Sequence, residues 1–168
     1  MIPTNAESSA ESSFEKISRT RKIKWDLRTI TRSDVGVPEG LNYVNYEELD
    51  SSFDVEITLL SGKTLRTRSN LVTVLTDGPT GLIESIEVKR SLLPLPEADA
   101  LLDELVTTWD IEPEGATFWK SERATLGPQR VFPTSEPEMS IQFLNNTSPP
   151  TTQTVDYMIF RKAGFGRS

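Results

Sequence analysis

The 168-residue chain contains neither cysteine nor histidine. Without cysteine there is no disulfide and no thiolate nucleophile; without histidine the commonest general base and the commonest metal ligand are gone. Most catalytic constellations are thereby excluded, and no metal or cofactor is expected. A run of roughly 18 apolar residues, the length that crosses a bilayer, is also missing. Positive charge is in deficit, with 18 Lys and Arg against 25 Asp and Glu and a net charge of −7. That balance repels polyphosphates and argues against a nucleic-acid partner.

The absence of thiols is neutral about redox compartment. Residues Met1 to Ser13, MIPTNAESSAESS, lack the cationic start and apolar stretch of a secretory signal, so the chain as it stands would stay in the cytosol. A polar leader of this kind also precedes domains whose upstream signal or lipid-anchor segment has been removed. In that case a bacterial extracytoplasmic site, with a lipid tether, is the alternative.

What is present suffices for one domain with a real core. The composition predicts a flexible polar tail over 1–18, a single α+β domain over 19–162 and a flexible basic, Gly-rich tail over 163–168. In the first strand Ile23, Trp25 and Leu27 alternate with Lys24, Asp26 and Arg28. Its cations, with Arg19, Arg21 and Lys22, suit an edge strand. Residues 32–50 read as a long, partly packed connection with one helical turn near Tyr46 to Leu49.

Val55, Ile57 and Leu59 define the next strand. A loop of Ser61, Gly62 and Lys63 would set Leu59 opposite Leu65 and Thr58 opposite Arg66, with Gly62 left-handed. Leu71 to Leu75, apolar on both faces, turns through Asp77-Gly78-Pro79-Thr80-Gly81 into a strand over 82–89, with Leu75 expected opposite Leu82. These strands would form an antiparallel meander.

Leu101, Leu102, Leu105, Val106 and Trp109 fall at helical spacing behind Pro96, predicting a helix over 96–109. A second helix over 114–125 would bury Phe118, Trp119 and Leu126. In the last third Met139, Ile141 and Phe143 face Ile159, Tyr157 and Val155 of an interior strand. Strands, then helices, then strands give a segregated α+β fold: an antiparallel sheet of five to seven strands with one or two helices on one face.

Motifs add little chemistry. Gly62-Lys63-Thr64 has the ending of a phosphate-binding loop, but Ile57 stands where its first glycine belongs and a strand follows it. Asp77 to Gly81 lacks the alternating oxygens of a calcium loop. Asn145 and Asn146 each begin a glycosylation acceptor triplet, a pattern common by chance. Glu84 with Glu87, Asp103 with Glu104, and Glu136 with Glu138 are the acid pairs available to a carboxylate hydrolase.

Of the tryptophans, Trp25 and Trp109 complete apolar rows, while Trp119 is balanced between core and contact surface. Tyr43, Tyr46 and Phe53 cluster around the long connection. Tyr43, Tyr46 and Trp119 are therefore the candidate partner-binding residues of a non-catalytic protein-binding module, an accessory or inhibitory subunit. A small-molecule or lipid carrier would instead need an apolar cavity between sheet and helix.

Overall fold

The computed structural model describes residues 11–50 and 52–160. Within them the polar tail expected over 1–18 needs correction, because Ser13–Thr20 forms a helix, α1. Ser12 caps it by accepting the Glu15 N–H at 3.1 Å. Phe14 and Ile17, one turn apart, dock it: Ile17 is buried, and the Phe14 ring stacks on Tyr46 with centroids 5.4 Å apart. Residues 1–10 and the expected C-terminal tail lie outside the described residues.

Strands β1 (Lys22–Asp26), β2 (Tyr43–Glu47), β3 (Phe53–Thr58), β4 (Thr64–Ser69), β5 (Leu71–Thr76) and β6 (Ile83–Pro94) follow. Helices α2 (Leu95–Trp109) and α3 (Pro113–Glu122) come next, then β7 (Gln129–Pro133), β8 (Met139–Asn145) and β9 (Thr152–Phe160). The fold is α+β, as its order of elements predicts. Its main sheet is antiparallel and six-stranded, in the order β2-β5-β6-β9-β8-β7. A second, smaller sheet runs β1-β3-β4 and is mixed, since β1 lies parallel to β3.

One face of the large sheet is the core face. Val44 and Tyr46 of β2, Val72 and Val74 of β5, Ile86 and Val88 of β6, and Val155, Tyr157 and Ile159 of β9 all point into it. The small sheet covers the β2 side of that face, where Tyr46 meets Phe53 edge-on at 6.2 Å and Trp25 at 6.4 Å. Helices α2 and α3 cover the other side. Asp103 and Asp99 of α2 pair with Lys120 and Arg123 of and just beyond α3, and Gly115 of α3 lies against Phe132 of β7.

Several expectations are corrected by this packing. The helical turn near Tyr46 is strand β2: the alternation of Tyr43, Val44, Asn45 and Tyr46 places Val44 and Tyr46 inward. The β3–β4 hairpin pairs Ile57 with Leu65 and Glu56 with Arg66, two residues from the expected register. A slip of two keeps every side chain on its face, so the apolar pattern alone does not choose between the registers.

The β5–β6 hairpin pairs Val72 with Val88 and Val74 with Ile86, three residues from expectation, and Leu75 becomes exposed. A strand apolar on both faces carries no face signal, and the β-branched pairs occupy the core. The meander is broken as well, because β4 and β5 belong to different sheets. Strand β7 forms where none was expected. On α3, Trp119 is buried, but Phe118 and Leu126 are exposed. The β8–β9 pairing is as predicted, with Phe143 opposite Val155, Ile141 opposite Tyr157 and Met139 opposite Ile159.

The connection from β1 to β2 packs through Ile30, Val35 and Val37. Gly36 stands there at φ +78°, and a Cβ on it would overlap the Tyr46 hydroxyl. That hydroxyl donates to the Val35 carbonyl at 2.8 Å. Gly36→Ala should therefore lower the unfolding free energy by about 2–4 kcal/mol. Tyr46→Phe, which removes only the buried hydrogen bond, should cost about 1–2 kcal/mol. Urea unfolding measures both; an alanine at position 36 that costs no more than the phenylalanine at 46 would mean the connection is not seated on Tyr46.

Candidate functional site

Strand β4 forms an outer edge of the small sheet. On β3, the Asp54 N–H donates to Arg21 and the Thr58 carbonyl accepts from Leu27, both at 2.9 Å, so the even-numbered residues address β1. Leu59 donates to the Lys63 carbonyl at 2.8 Å, in phase with odd-numbered β3 residues addressing β4. Antiparallel alternation then directs the backbone N–H and C=O groups of Thr64, Arg66 and Arg68 away from β3, off the edge of the sheet.

Beside that edge lies a groove of about 470 Å³, bounded by β4 on one side and by Leu101, Glu104, Leu105 and Thr108 of α2 on the other. Arg90 of β6 and Tyr157 of β9 also line it. Lys63 ties one end together: its ammonium group donates to the Thr108 carbonyl and lies 4.3 Å from the centroid of the Trp109 ring. The expected turn at Gly62-Lys63-Thr64 thus joins the hairpin to the helix, with Gly62 at φ +93°.

Electrostatically the groove is unlike the chain as a whole. Among the described residues Lys63 and Arg90 bring cationic side chains to it against one carboxylate, Glu104, while Arg66 and Arg68 line it through their strand. Arg66 and Arg68 send their guanidinium groups to the outer side of the small sheet, where they pair with Glu56 at 2.9 Å and Asp54 at 3.6 Å. Arg90 differs. It follows Ile86 and Val88 on the core-facing side of β6, opposite Val155, and its Nε–H is buried with no hydrogen-bond partner among the described residues. Beside it, burial holds the Tyr157 phenol above its ordinary pKa, with the Thr67 hydroxyl and then the Arg90 charge acting the other way.

The three residues favoured by sequence do not meet in this groove. Tyr43 is exposed, on the outer face of the large sheet. Tyr46 is buried and hydrogen-bonded to Val35, and burial raises its pKa well above the usual phenol range. Trp119 is fully buried, its indole N–H unpaired among the described residues. Tyr43 alone of the three has a surface to offer. Arg90 and the β4 edge were missed; the available signal was an arginine in the apolar row begun by Ile86 and Val88.

The acidic pairs are separated in role. Glu138 accepts the Leu60 N–H at 3.2 Å and Glu136 accepts the Ser61 hydroxyl, so both buried carboxylates hold the β3–β4 turn. Asp103 pairs with Lys120, and Glu104 stands exposed at the groove. Glu87 instead meets an acid the sequence did not single out, Asp156, on the outer face of the large sheet. Asparagines 145 and 146 engage their side-chain amides within the chain, on the Arg123 carbonyl at 3.0 Å and the Thr154 hydroxyl at 2.9 Å. Among the described residues no group of three or more acidic side chains is placed to hold a metal ion, and no helix is long and apolar enough to cross a membrane.

Asp156 is only 3% exposed. Burial first, then the Glu87 carboxylate, push its pKa up to about 7, with Lys89 opposing them. The folded protein thus keeps a proton that the unfolded chain releases at about pH 4. The stability this proton contributes is complete below that pH and is lost as pH rises from about 4 to about 7. Asp156→Asn removes the titration, so between pH 5 and pH 8 it should gain roughly 2–3 kcal/mol relative to the parent chain. Urea midpoints of both proteins at the two pH values measure this, and a pH-independent difference would show an ordinary carboxylate.

Compared with family models, curated proteins and solved structures, the chain matches none.

Proposed function

We propose that this chain is a non-catalytic protein-binding module, of the kind an accessory or inhibitory subunit provides, and that it takes an extended segment of its partner as an added strand beside β4. The observation that carries this reading is the row of outward backbone groups at Thr64, Arg66 and Arg68, facing a groove whose other wall is α2. An edge of this kind is a template for a further strand, in which main-chain hydrogen bonds supply affinity and side-chain pockets supply selectivity. Arg90, with no ion pair among the described residues, favours an acidic segment.

A carrier would use the same space, since the groove lies between sheet and helix. Three charged side chains, Lys63, Arg90 and Glu104, border it, which favours a small polar ligand over a lipid. A carboxylate hydrolase would instead draw on Glu87 and Asp156, which lie on the opposite face of the large sheet from the groove.

The test is selection of a random heptamer display library on the full chain, followed by mapping of the selected peptides through backbone amide shifts. Peptides should perturb Thr64 to Arg68 and the facing turns of α2. Arg66→Pro removes one outward N–H and none of the β3–β4 ladder, and should weaken binding at least tenfold. N-methylation of alternate peptide amides should do the same in one phase only. Recovery of no peptide, or of peptides that map to the outer face around Tyr43 and Leu75, would overturn strand addition.

A further inference from the structure

We infer that Arg90 is the specificity-determining anchor of the groove, and that it recognises a carboxylate carried by the incoming segment. This rests on the strand-addition reading and deepens it.

On β6 the row Ile86, Val88, Arg90 faces the core, and the first two members are fully buried. Continuing that row with a partly buried arginine brings a permanent cation to the groove between β4 and α2, with its Nε–H shielded from solvent, since arginine does not deprotonate in proteins. A cation so placed is ordinarily matched by a carboxylate. Here Arg90 forms no ion pair among the described residues, whereas the neighbouring Arg66 and Arg68 each have an acidic partner. Its shielded Nε–H has no acceptor among the described residues.

The surroundings then select the ligand. Tyr157 and Thr67 bring hydroxyl groups to the same groove, and Glu104 is its one carboxylate. Glu104 is exposed on α2 and makes no ion pair with Arg90. A planar fork of N–H donors matches a carboxylate, which accepts two parallel hydrogen bonds. That carboxylate is either an Asp or Glu side chain of the segment or the C-terminus of the partner, and the chemistry at Arg90 is the same for both.

The experiment uses the full chain and the peptides recovered by the heptamer selection. Each is compared with a version whose Asp and Glu are replaced by Asn and Gln, and with a C-terminal amide. Arg90→Gln should weaken the carboxylate peptide at least tenfold and change the uncharged counterpart less than twofold. The substitution that abolishes this difference identifies the source of the carboxylate. As a readout independent of strand addition, the Arg90 Nε–H resonance should shift on titration with acetate, and the shift should saturate. Should Arg90→Gln fail to fold, the peptide arms and the acetate titration on the parent chain still decide the matter. Peptides that map to the groove but bind equally well with and without carboxylates would leave strand addition standing and remove the role of Arg90. Peptides that map elsewhere would remove strand addition, and with an unmoved Arg90 resonance in acetate would remove both.

Discussion

Asn70 is the one residue between β4 and β5, and the corner it makes organises the rest of the molecule. The strand entering it belongs to the small sheet and the strand leaving it to the large one, with no loop to absorb the change. Backbone groups that a bend of this kind would strand are satisfied locally. Ser69, fully buried, donates to the Lys89 carbonyl at 2.6 Å and accepts the Leu71 N–H at 3.1 Å. Asn70 takes the Ser91 N–H on its side chain at 2.9 Å and gives its own N–H to Lys89. Because β5 is committed to β2 and β6, the hairpin that precedes it cannot extend sideways within the chain. The edge of β4 is left as an edge by topology.

The same corner explains why sequence reading recovered the parts of the fold unevenly. Segments whose pattern has one period and one apolar face were legible: β1, α2, and the β8–β9 pair, where Phe143, Ile141 and Met139 meet Val155, Tyr157 and Ile159 in the expected order. Segments with two apolar faces, or with a register decided by tertiary contacts, were not. The Ile57 to Leu65 pairing differs from its alternative by two residues and exposes no different face. For α1 the signal was present in Ser12 and Glu15 at capping spacing, but its stability comes from docking Phe14 on Tyr46, a contact with a strand that had itself been read as a turn.

For the candidate site the asymmetry is sharper. Aromatic residues draw attention in a sequence because they dominate both cores and interfaces, and sequence offers no means of telling the two apart. Trp119 and Tyr46 went to the core. Arg90 carries no motif; its meaning depends on the face on which β6 places it, on the absence of an acidic partner, and on α2 passing at a distance that leaves a groove. None of these three facts is local in sequence. An arginine between Val88 and a bulged turn at Leu92 reads on paper as the solvated end of a strand.

Two surfaces therefore compete for the role of recognition, and they differ in kind. The outer face of the large sheet offers Tyr43, Leu75, Val131 and Phe160 as exposed apolar side chains on different strands. Tyr43 and Leu75 are cross-strand neighbours there, but a few exposed hydrophobics are ordinary on protein surfaces and define no orientation for a partner. The groove beside β4 offers fixed main-chain donors and acceptors at a strand's spacing, a helix wall that limits approach to one direction, and a cation whose nearest unused hydrogen-bond donor is already out of water. Burying an apolar patch would supply affinity without register. Backbone pairing along β4, with a charge at one position, would supply register, polarity and sequence preference together, and the Arg90 Nε–H is shielded from solvent by the fold itself.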